Sequence, residues 1–272
     1  MRTLSHWGRF LGLSSKTVFA CVATGLLYGR AEQYINALYG MLSEHFQRPF
    51  ELRCYTDRPR AIDERIRQMD CTSWREFQAA GTHPTDFKLG LFNPDYAQCD
   101  ELFYLDLSLI IQSDLTPLVD YAGQCPEGLV IVKDWFYDGY NSSVMRIKPR
   151  EMKFVYDDYV AGIKYPMHIA GDQDYIHGAT QLRPGVVTLF PAGHVESFKR
   201  LIRAGMSAFG AVKASAEQAM IIKFHGRPKM HVLFASGYVF FKYRLRYMLH
   251  GHWRLPVDVS RLRRAWLGSE AR

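Results

Sequence analysis

The chain has 272 residues, of which 48% are hydrophobic and 22% are charged. This length and apolar content suffice for one large folded domain or two small ones. The five cysteines are widely separated without a Cys-x-x-Cys pair, which argues against a zinc cluster or a disulfide scaffold and fits a reducing compartment. No apolar run approaches the roughly 18 residues that a membrane-spanning helix needs.

The net charge of +7 is concentrated near the C-terminus. From Lys223 to the end there are eleven Lys and Arg residues against two acids, whereas the preceding residues carry 23 basic and 25 acidic side chains. Residues 233–272 interleave these cations with aromatic side chains, so we predict a main domain over 1–232 and a basic aromatic extension over 233–272. Such a segment can bind an anionic membrane surface, pack as a solvated helix face on its own domain, or follow a nucleic-acid backbone. The sequence has no nucleic-acid-binding motif, which makes nucleic acid the least favoured partner.

The first 55 residues predict an α/β fold. The apolar, β-branched run Val18 to Thr24 predicts a buried strand, and it continues into a helical pattern rather than into a signal-peptide cleavage site. Apolar spacings of three and four from Glu32 predict a helix that ends before Pro49. A second strand follows at Phe50 to Tyr55. Strand, helix and strand in succession are typical of a parallel sheet flanked by helices.

The rest of the chain continues this alternation. We predict a helix over 62–69, a small-residue turn at 141–143 that leads into a strand, a helix around 154–160 and a helix that begins at 172. Further strands are predicted at 102–111, 129–132, 186–190 and 221–225.

The strand predicted at 102–111 contains a single acidic residue, Asp106, between two apolar runs. An ionised carboxylate is costly to bury unless a metal, a cation or several donors meet it. Asp106 therefore either caps the turn that follows the strand or faces a partner in a functional site.

Seven segments in order resemble nucleotide-sugar-dependent glycosyltransferases of the GT-A fold, close to glycosyltransferase family eight and its bacterial relatives. They are VATGLLYG, CYTDRP, FKLGLF, FYLDLSLII, NSSVMR, GDQDYI and FHGRPKMH, and they span about residues 18–231. The resemblance implies a Rossmann-like, mostly parallel central sheet flanked by helices. It also implies transfer of a sugar from a nucleotide-sugar, with UDP as the expected nucleotide, to a glycan or lipid-linked acceptor with retention of configuration.

The same resemblance implies a divalent metal. In the family, a D-x-D motif and a late histidine bind Mn²⁺ or Mg²⁺ against the donor diphosphate, which corresponds here to Asp106, Ser108 and His225. Ser108 stands where the family has a second carboxylate, and a hydroxyl is a weaker ligand for these hard ions. Three outcomes stay open: the metal is held by the remaining ligands and the diphosphate, Arg227 and Lys229 replace it, or catalysis has been lost.

The resemblance also assigns donor-binding residues. Thr24 and Tyr28 correspond to contacts of the base and ribose, Asp57 to a uracil or ribose contact, Lys88 to a contact of the diphosphate or sugar, Asn141, Ser142 and Ser143 to sugar contacts, and Gly226 and Lys229 to diphosphate contacts. Each has a plainer alternative: core packing for Tyr28, a turn cap for Asp57, a solvated lysine for Lys88, and a simple turn at 141–143.

Asp172 and Gln173 correspond to the family's pair at the reacting face of the sugar, and the alternative for Asp172 is a helix N-cap. Two functions therefore compete: an active glycosyltransferase, and a catalytically silent relative that binds nucleotide-sugar or glycan or scaffolds a partner. We expect a cytoplasmic protein, with peripheral attachment at the inner membrane surface through the basic segment.

Overall fold

The computed structural model describes residues 16–25, 29–78, 83–166, 168 and 171–268. The strands are β1 Thr17–Ala23, β2 Phe50–Thr56, β3 Arg67–Asp70, β4 Leu102–Leu105, β5 Leu109–Ile111, β6 Leu129–Lys133, β7 Tyr140–Ile147, β8 Val187–Leu189, β9 Val195–Ser197 and β10 Ile221–Lys223. The helices are α1 Ala31–His45, α2 Pro94–Ala97, α3 Thr116–Gln124, α4 Lys153–Val160, α5 Asp172–Gln181, α6 Phe198–Ala204, α7 Phe209–Gln218, α8 Met230–Ala235, α9 Gly237–Leu249 and α10 Val259–Leu267.

A seven-stranded sheet in the order β3-β2-β1-β4-β7-β6-β8 forms the centre of the molecule. Only β7 runs antiparallel to its neighbours, and the other pairs are parallel. Side chains alternate across β1: Phe19, Cys21 and Ala23 pack into one hydrophobic core cluster, while Ala20 packs into the cluster on the other face. The mostly parallel α/β sheet predicted from the sequence is thus confirmed.

Three further strands form a second sheet in the order β5-β10-β9. The chain passes from the first sheet into the second after β4. The chain leaves the large sheet at Leu105 and enters the small one at Leu109, so the Asp106-Leu107-Ser108 segment connects the two. In the small sheet Lys223 is paired with Leu109, and the Phe224 amide donates a hydrogen bond to the Ser108 carbonyl at 2.8 Å. This topology brings residues 106–108 together with the end of β10.

Three local predictions are wrong. The strand predicted at 102–111 is instead two strands, β4 and β5, which belong to different sheets. The helix predicted over 62–69 is instead a turn followed by β3, which pairs in parallel with β2 at the edge of the sheet. Residues 62–69 contain too few apolar side chains to show the alternating pattern of a strand. The turn predicted at 141–143 lies inside β7, where Asn141, Ser142 and Ser143 are buried and form hydrogen bonds to one another or to neighbouring polar side chains.

The predicted boundary between residues 232 and 233 falls inside α8. Beyond it, Leu233, Tyr247, Leu262 and Trp266 are buried in the same core cluster as α1. The Trp266 ring packs edge-on against Tyr34 with ring centroids 5.5 Å apart. The C-terminal helices therefore continue the core of the main domain, and none of the described helices is long and apolar enough to cross a membrane.

Candidate functional site

A cavity of about 460 Å³ lies at the carboxyl end of β4. It is bounded by the turn after β6, the start of β7, the start of α5, one face of α6 and the end of β10. Its lining includes four cationic side chains and three carboxylates: Lys88, Lys199, Arg203, Lys223, Asp106, Asp134 and Asp172. The cavity is therefore polar, with an excess of positive charge when His225 is neutral.

Asp106 is bound on both carboxylate oxygens. Its Oδ2 lies 2.7 Å from the Lys223 ammonium, and its Oδ1 accepts hydrogen bonds from the Ser108 amide at 3.0 Å and the Ser108 hydroxyl at 3.1 Å. The Lys223 ammonium also donates to Ser108 Oγ at 2.6 Å. These three side chains form a closed hydrogen-bonded unit, in which Lys223 is 5% exposed.

The electrostatics of this unit favour the ionised pair. Burial by itself would raise the pKa of the Asp106 carboxyl, but the charges of Lys223 and Lys88 and the bonds from Lys223 and Ser108 hold it well below its usual range. Burial lowers the pKa of Lys223 from its ordinary value, and Asp106 opposes that shift. Asp106 therefore remains a carboxylate at any pH at which the protein is normally handled.

A second ion pair lies on the α5 side of the cavity. The Lys88 ammonium is 2.7 Å from Asp172 Oδ2 and donates to Ser142 Oγ at 3.0 Å. Lys88 and Asp172 are both buried, yet Asp172 Oδ2 accepts no hydrogen bond from the described residues, so its contact with Lys88 is one of distance and charge without hydrogen-bond geometry. The Lys88 ammonium offsets the cost of burying this charge, and Lys88 and Asp172 both line the cavity.

Gly171 lets α5 begin at this point. Its φ of +137° is one that residues with a side chain rarely adopt, and a Cβ there would lie 2.9 Å from Thr85 Oγ1. Thr85 Oγ1 accepts a hydrogen bond from the Asp172 amide at 3.3 Å. Asp172 and Gln173 both line the cavity, at the N-terminal end of the helix.

The α6 side adds charge that the sequence reasoning did not predict. Lys199 and Arg203 are four residues apart on α6 and both lie over the Phe136 ring, at 5.3 and 5.7 Å from its centroid. Asp134 orders the loop that carries Phe136 by accepting hydrogen bonds from the amides of Phe136 and Tyr137. In the sequence, the four-residue spacing of Lys199 and Arg203 is the feature that indicates two cations on the same face of a helix.

His225 lines the cavity but is bound to a neutral partner. Its Nε2 lies 2.6 Å from Ser197 Oγ, and its ring packs against Trp135 and Phe136. Burial, followed by the charges of Lys223 and Lys199, lowers the pKa of His225 to about 4. His225 is therefore neutral at pH 7.

The donors of this site do not fit the predicted Mn²⁺ or Mg²⁺ ion. Asp106 is the one carboxylate of the proposed ligand set, Ser108 is a hydroxyl, and both are bound to an ammonium. Within the described ranges no three His, Cys, Asp or Glu residues are grouped as a metal site. An ammonium and a divalent cation about 4 Å apart repel by roughly 8 kcal/mol at an effective dielectric constant of about 20. Lys223 thus occupies the place beside Asp106 in which a metal would bind.

Four of the remaining predicted donor contacts, at Thr24, Asp57, Gly226 and Lys229, are not part of the cavity lining. Thr24 follows β1 and Asp57 follows β2, and the adjacent Gly25 amide donates to Asp57 Oδ2 at 3.0 Å, so these two residues lie together at the carboxyl edge of the sheet. Gly226 and Lys229 follow β10, and Lys229 precedes the first turn of α8. Tyr28 lies outside the described residues.

Lys223 is the main residue that the sequence reasoning missed. The strand predicted from the sequence ends at His225, whereas the observed strand β10 ends at Lys223. The prediction therefore placed the histidine, and not the lysine, at the end of the strand. A lysine that ends an apolar strand needs a buried anionic partner, and that signal was present in Ile221-Ile222-Lys223. Its partner Ser108 is 115 residues away in the sequence, which only the fold reveals.

No family model and no curated protein matches this sequence. Solved structures do match. An active-site mutant of LgtC is 16% identical with a TM-score of 0.55, and the galactosyltransferase LgtC with donor and acceptor sugar analogues is 16% identical with a TM-score of 0.54; each match covers 86% of this chain and 95% of LgtC. The glycosyltransferase GlyE of Streptococcus pneumoniae TIGR4 is 15% identical with a TM-score of 0.53, over 94% of this chain and 64% of GlyE. The predicted GT-A type fold is confirmed by these matches.

Proposed function

We propose that this protein is a glycosyltransferase that transfers a sugar from a nucleotide-sugar to a glycan or lipid-linked acceptor. The donor that we expect carries uridine diphosphate. The fold is shared with glycosyltransferases, one of which was solved with donor and acceptor sugar analogues. Its similarity to family eight rests on the sequence segments described above.

The observation that carries the proposal is the charge of the cavity at the end of β4. Cleavage of a nucleotide-sugar leaves a nucleoside diphosphate, on which negative charge develops as the glycosidic bond breaks. Fixed cations aimed at that charge stabilise the transition state more than the ground state. Lys88, Lys199, Arg203 and Lys223 supply four such cations around one cavity.

The α5 side of the cavity is the proposed sugar subsite. Sugars present hydroxyl groups, which hydrogen-bond to carboxylate, amide and hydroxyl side chains, and Asp172 lines this side of the cavity beside the Lys88 ammonium. Gln173 follows Asp172 on the same helix start, and Asn141 and Ser142 line the cavity opposite. A carboxylate here also stabilises an oxocarbenium-like centre at the anomeric carbon, and no strong base is required because the leaving diphosphate can itself accept the proton of the acceptor.

The test is nucleotide release from a panel of UDP-sugars, followed in the presence and absence of glycan acceptors. We expect one donor to release UDP faster than the others and to label an acceptor, with the anomer of the product reporting retention. Saturable UDP binding without any turnover on the panel would favour the catalytically silent alternative. Absence of UDP binding would contradict the donor assignment.

We also propose that α9 places the protein at an anionic membrane surface, where lipid-linked acceptors are found. One face of α9 exposes apolar side chains at spacings of three and four, and Trp253 follows in the next loop. These residues, here called the α9 stripe, are Tyr238, Phe241, Leu245, Met248, Leu249 and Trp253, and each is between 38% and 80% exposed.

Exposed cations flank the α9 stripe at Lys242, Arg244 and Arg246. An apolar helix face bordered by basic residues suits the interface of a bilayer that contains anionic lipids. Such binding would give a cytoplasmic protein a peripheral position at the inner membrane surface.

Vesicle sedimentation tests the membrane proposal. We expect binding to vesicles of phosphatidylcholine with phosphatidylglycerol but not to phosphatidylcholine alone. Phe241→Ser with Leu249→Ser should weaken binding about tenfold or more, because two exposed apolar side chains no longer insert. Leu182→Ser, at an exposed leucine on another part of the surface, is the matched control. Tight binding of duplex DNA without vesicle binding would contradict the proposal.

A further inference from the structure

The Lys223 ammonium contacts two of the three side chains that the family resemblance assigns to a metal, those of Asp106 and Ser108. It lies 2.7 Å from Asp106 Oδ2 and 2.6 Å from Ser108 Oγ. Ser108 is a suitable partner because a neutral hydroxyl accepts a hydrogen bond from an ammonium without adding a second negative charge. One carboxylate and one ammonium therefore balance each other, whereas two carboxylates would require a divalent cation.

The backbone fixes this contact. Lys223 ends β10 and is paired with Leu109 of β5, while the next amide, that of Phe224, donates to the Ser108 carbonyl at 2.8 Å. The Asp106 amide in turn donates to the Ser143 carbonyl at 2.8 Å. The ammonium is thus held between two sheets and is in place before a ligand binds, which is the condition for electrostatic preorganisation.

We infer that the Lys223 ammonium replaces the divalent cation in this protein, so that the donor diphosphate binds without metal. The inference rests on the proposed function and specifies how that function is carried out. Lys88 supplies a second buried ammonium in the same cavity, and Lys199 and Arg203 add charge from α6. Four cations against three carboxylates leave the cavity with one net positive charge towards the two negative charges of a diphosphate.

The transfer step balances without a metal. The acceptor hydroxyl oxygen forms a bond to the anomeric carbon, and the bond from that carbon to the diphosphate oxygen breaks. The bonding electron pair remains on the diphosphate oxygen, next to the lysine ammonium groups. The proton of the acceptor hydroxyl passes to the diphosphate, and the products are the glycosylated acceptor and the nucleoside diphosphate.

The first test is calorimetric titration of the unaltered protein with UDP, in excess EDTA and in excess MnCl₂. We expect the Kd to differ by less than about twofold between the two conditions. This comparison needs no variant and so does not depend on the folding of one. Titration with Mn²⁺ alone, followed by electron paramagnetic resonance of free Mn²⁺, should show no stoichiometric binding.

Variants sharpen the test. Lys223→Met removes the ammonium while keeping most of the side-chain volume, and we expect it to weaken UDP binding in EDTA by about tenfold or more, the loss expected for a charged hydrogen bond. Lys213→Met, at an exposed lysine on α7 outside the cavity, is the matched control and should leave UDP binding unchanged. The double variant Ser108→Asp with Lys223→His rebuilds a donor set for a divalent ion and should bind Mn²⁺.

The outcomes separate the two proposals. UDP binding that appears only with Mn²⁺ would overturn the role of Lys223 and leave the glycosyltransferase proposal intact. No UDP binding in either condition would overturn the proposed function, and the inference with it. Metal-independent UDP binding that Lys223→Met leaves unchanged would also overturn the inference, because the charge would then come from the other cations.

Discussion

The two ion pairs of the cavity differ in how completely they are satisfied. Lys223 and Asp106 form a closed unit with Ser108, in which both carboxylate oxygens accept hydrogen bonds or the ammonium. Lys88 and Asp172 are equally close, yet Asp172 Oδ2 accepts no hydrogen bond from the described residues. The first pair is closed by hydrogen bonds, and the second is held by charge at the start of α5.

This difference separates two roles within one cavity. A carboxylate that is fully bonded stabilises the fold and orients its cation, so its loss is felt chiefly in stability and in anion binding. Asp172 lines the cavity beside Gln173, where we propose that the sugar binds, so its loss should be felt chiefly in ligand binding or turnover. Substitutions at each pair test whether the division holds.

The largest effect is expected at Asp172. Asp172→Asn keeps the shape of the side chain but removes the charge that we propose faces the sugar, so kcat/KM for the preferred donor should fall by roughly 10²- to 10³-fold, the loss typical of one preorganised electrostatic contact. Steady-state UDP release measures it. Asp157→Asn, on the exposed side of α4, is the control. A Kd effect without a kcat effect would assign Asp172 to ground-state binding instead.

The next largest effect is expected in the free energy of unfolding when the unit of Lys223, Asp106 and Ser108 is disrupted. Asp106→Ala leaves the buried Lys223 ammonium unpaired and should lower the free energy of unfolding by about 3 kcal/mol, whereas Asp106→Ala combined with Lys223→Met should lower it less. Urea denaturation measures both. The exposed pair of Lys153 and Asp157 is the matched comparison, and Asp157→Ala should cost under about 1 kcal/mol. Additive losses at Asp106 and Lys223 would contradict the coupling.

A smaller effect is expected from the pH dependence of His225. Its pKa is lowered to about 4 in the folded protein, below that of an unfolded histidine near 6.5. The unfolded state therefore binds more protons between these values, and stability is fully present above pH 6.5 and lost as the pH falls towards 4. We expect the loss to approach about 1 kcal/mol per pH unit in that window. His225→Gln should flatten the profile, and an unchanged slope would contradict the assignment.

The smallest effect is expected at Ser108. Ser108→Ala removes a hydroxyl that donates to Asp106 and accepts from Lys223, but it leaves the ion pair itself in place. The free energy of unfolding should fall by about 1 kcal/mol, the net value of such hydrogen bonds. Ser142→Ala, at the hydroxyl that accepts from Lys88, provides the equivalent test of the other pair. A much larger loss at Ser108 would show that the serine, rather than the ion pair, holds the unit together.

The strands and helices that could be predicted are those with continuous apolar runs or clear helical spacing. β1, β2, α1 and β6 were predicted close to their observed bounds, because each buries most of its length or a complete face. β3 and β9 were not predicted, because they are short and carry polar side chains. The local sequence pattern is a weak predictor of a strand when the burial of that strand depends on partners elsewhere in the chain.

The site was predictable where a charged residue interrupts or ends an apolar element. Asp106 was predicted on that basis, whereas Asp172 was predicted from the family resemblance, and both line the cavity. Lys223 was not selected, because its significance depends on contacts with residues 106–108 more than a hundred positions earlier. Its neighbour His225 satisfied the family pattern in sequence, but in the fold its Nε2 is bound to Ser197.

The burial of Trp266 has a practical consequence for experiments on fragments. Its ring packs against Tyr34 of α1 and lies 5.4 Å from Phe234, so the last helix covers aromatic faces that belong to the middle of the molecule. A truncated protein ending near residue 232 would lack Phe234 and α10, would uncover the Tyr34 ring, and is expected to aggregate during expression. Activity assays should therefore use a protein that retains the chain through α10.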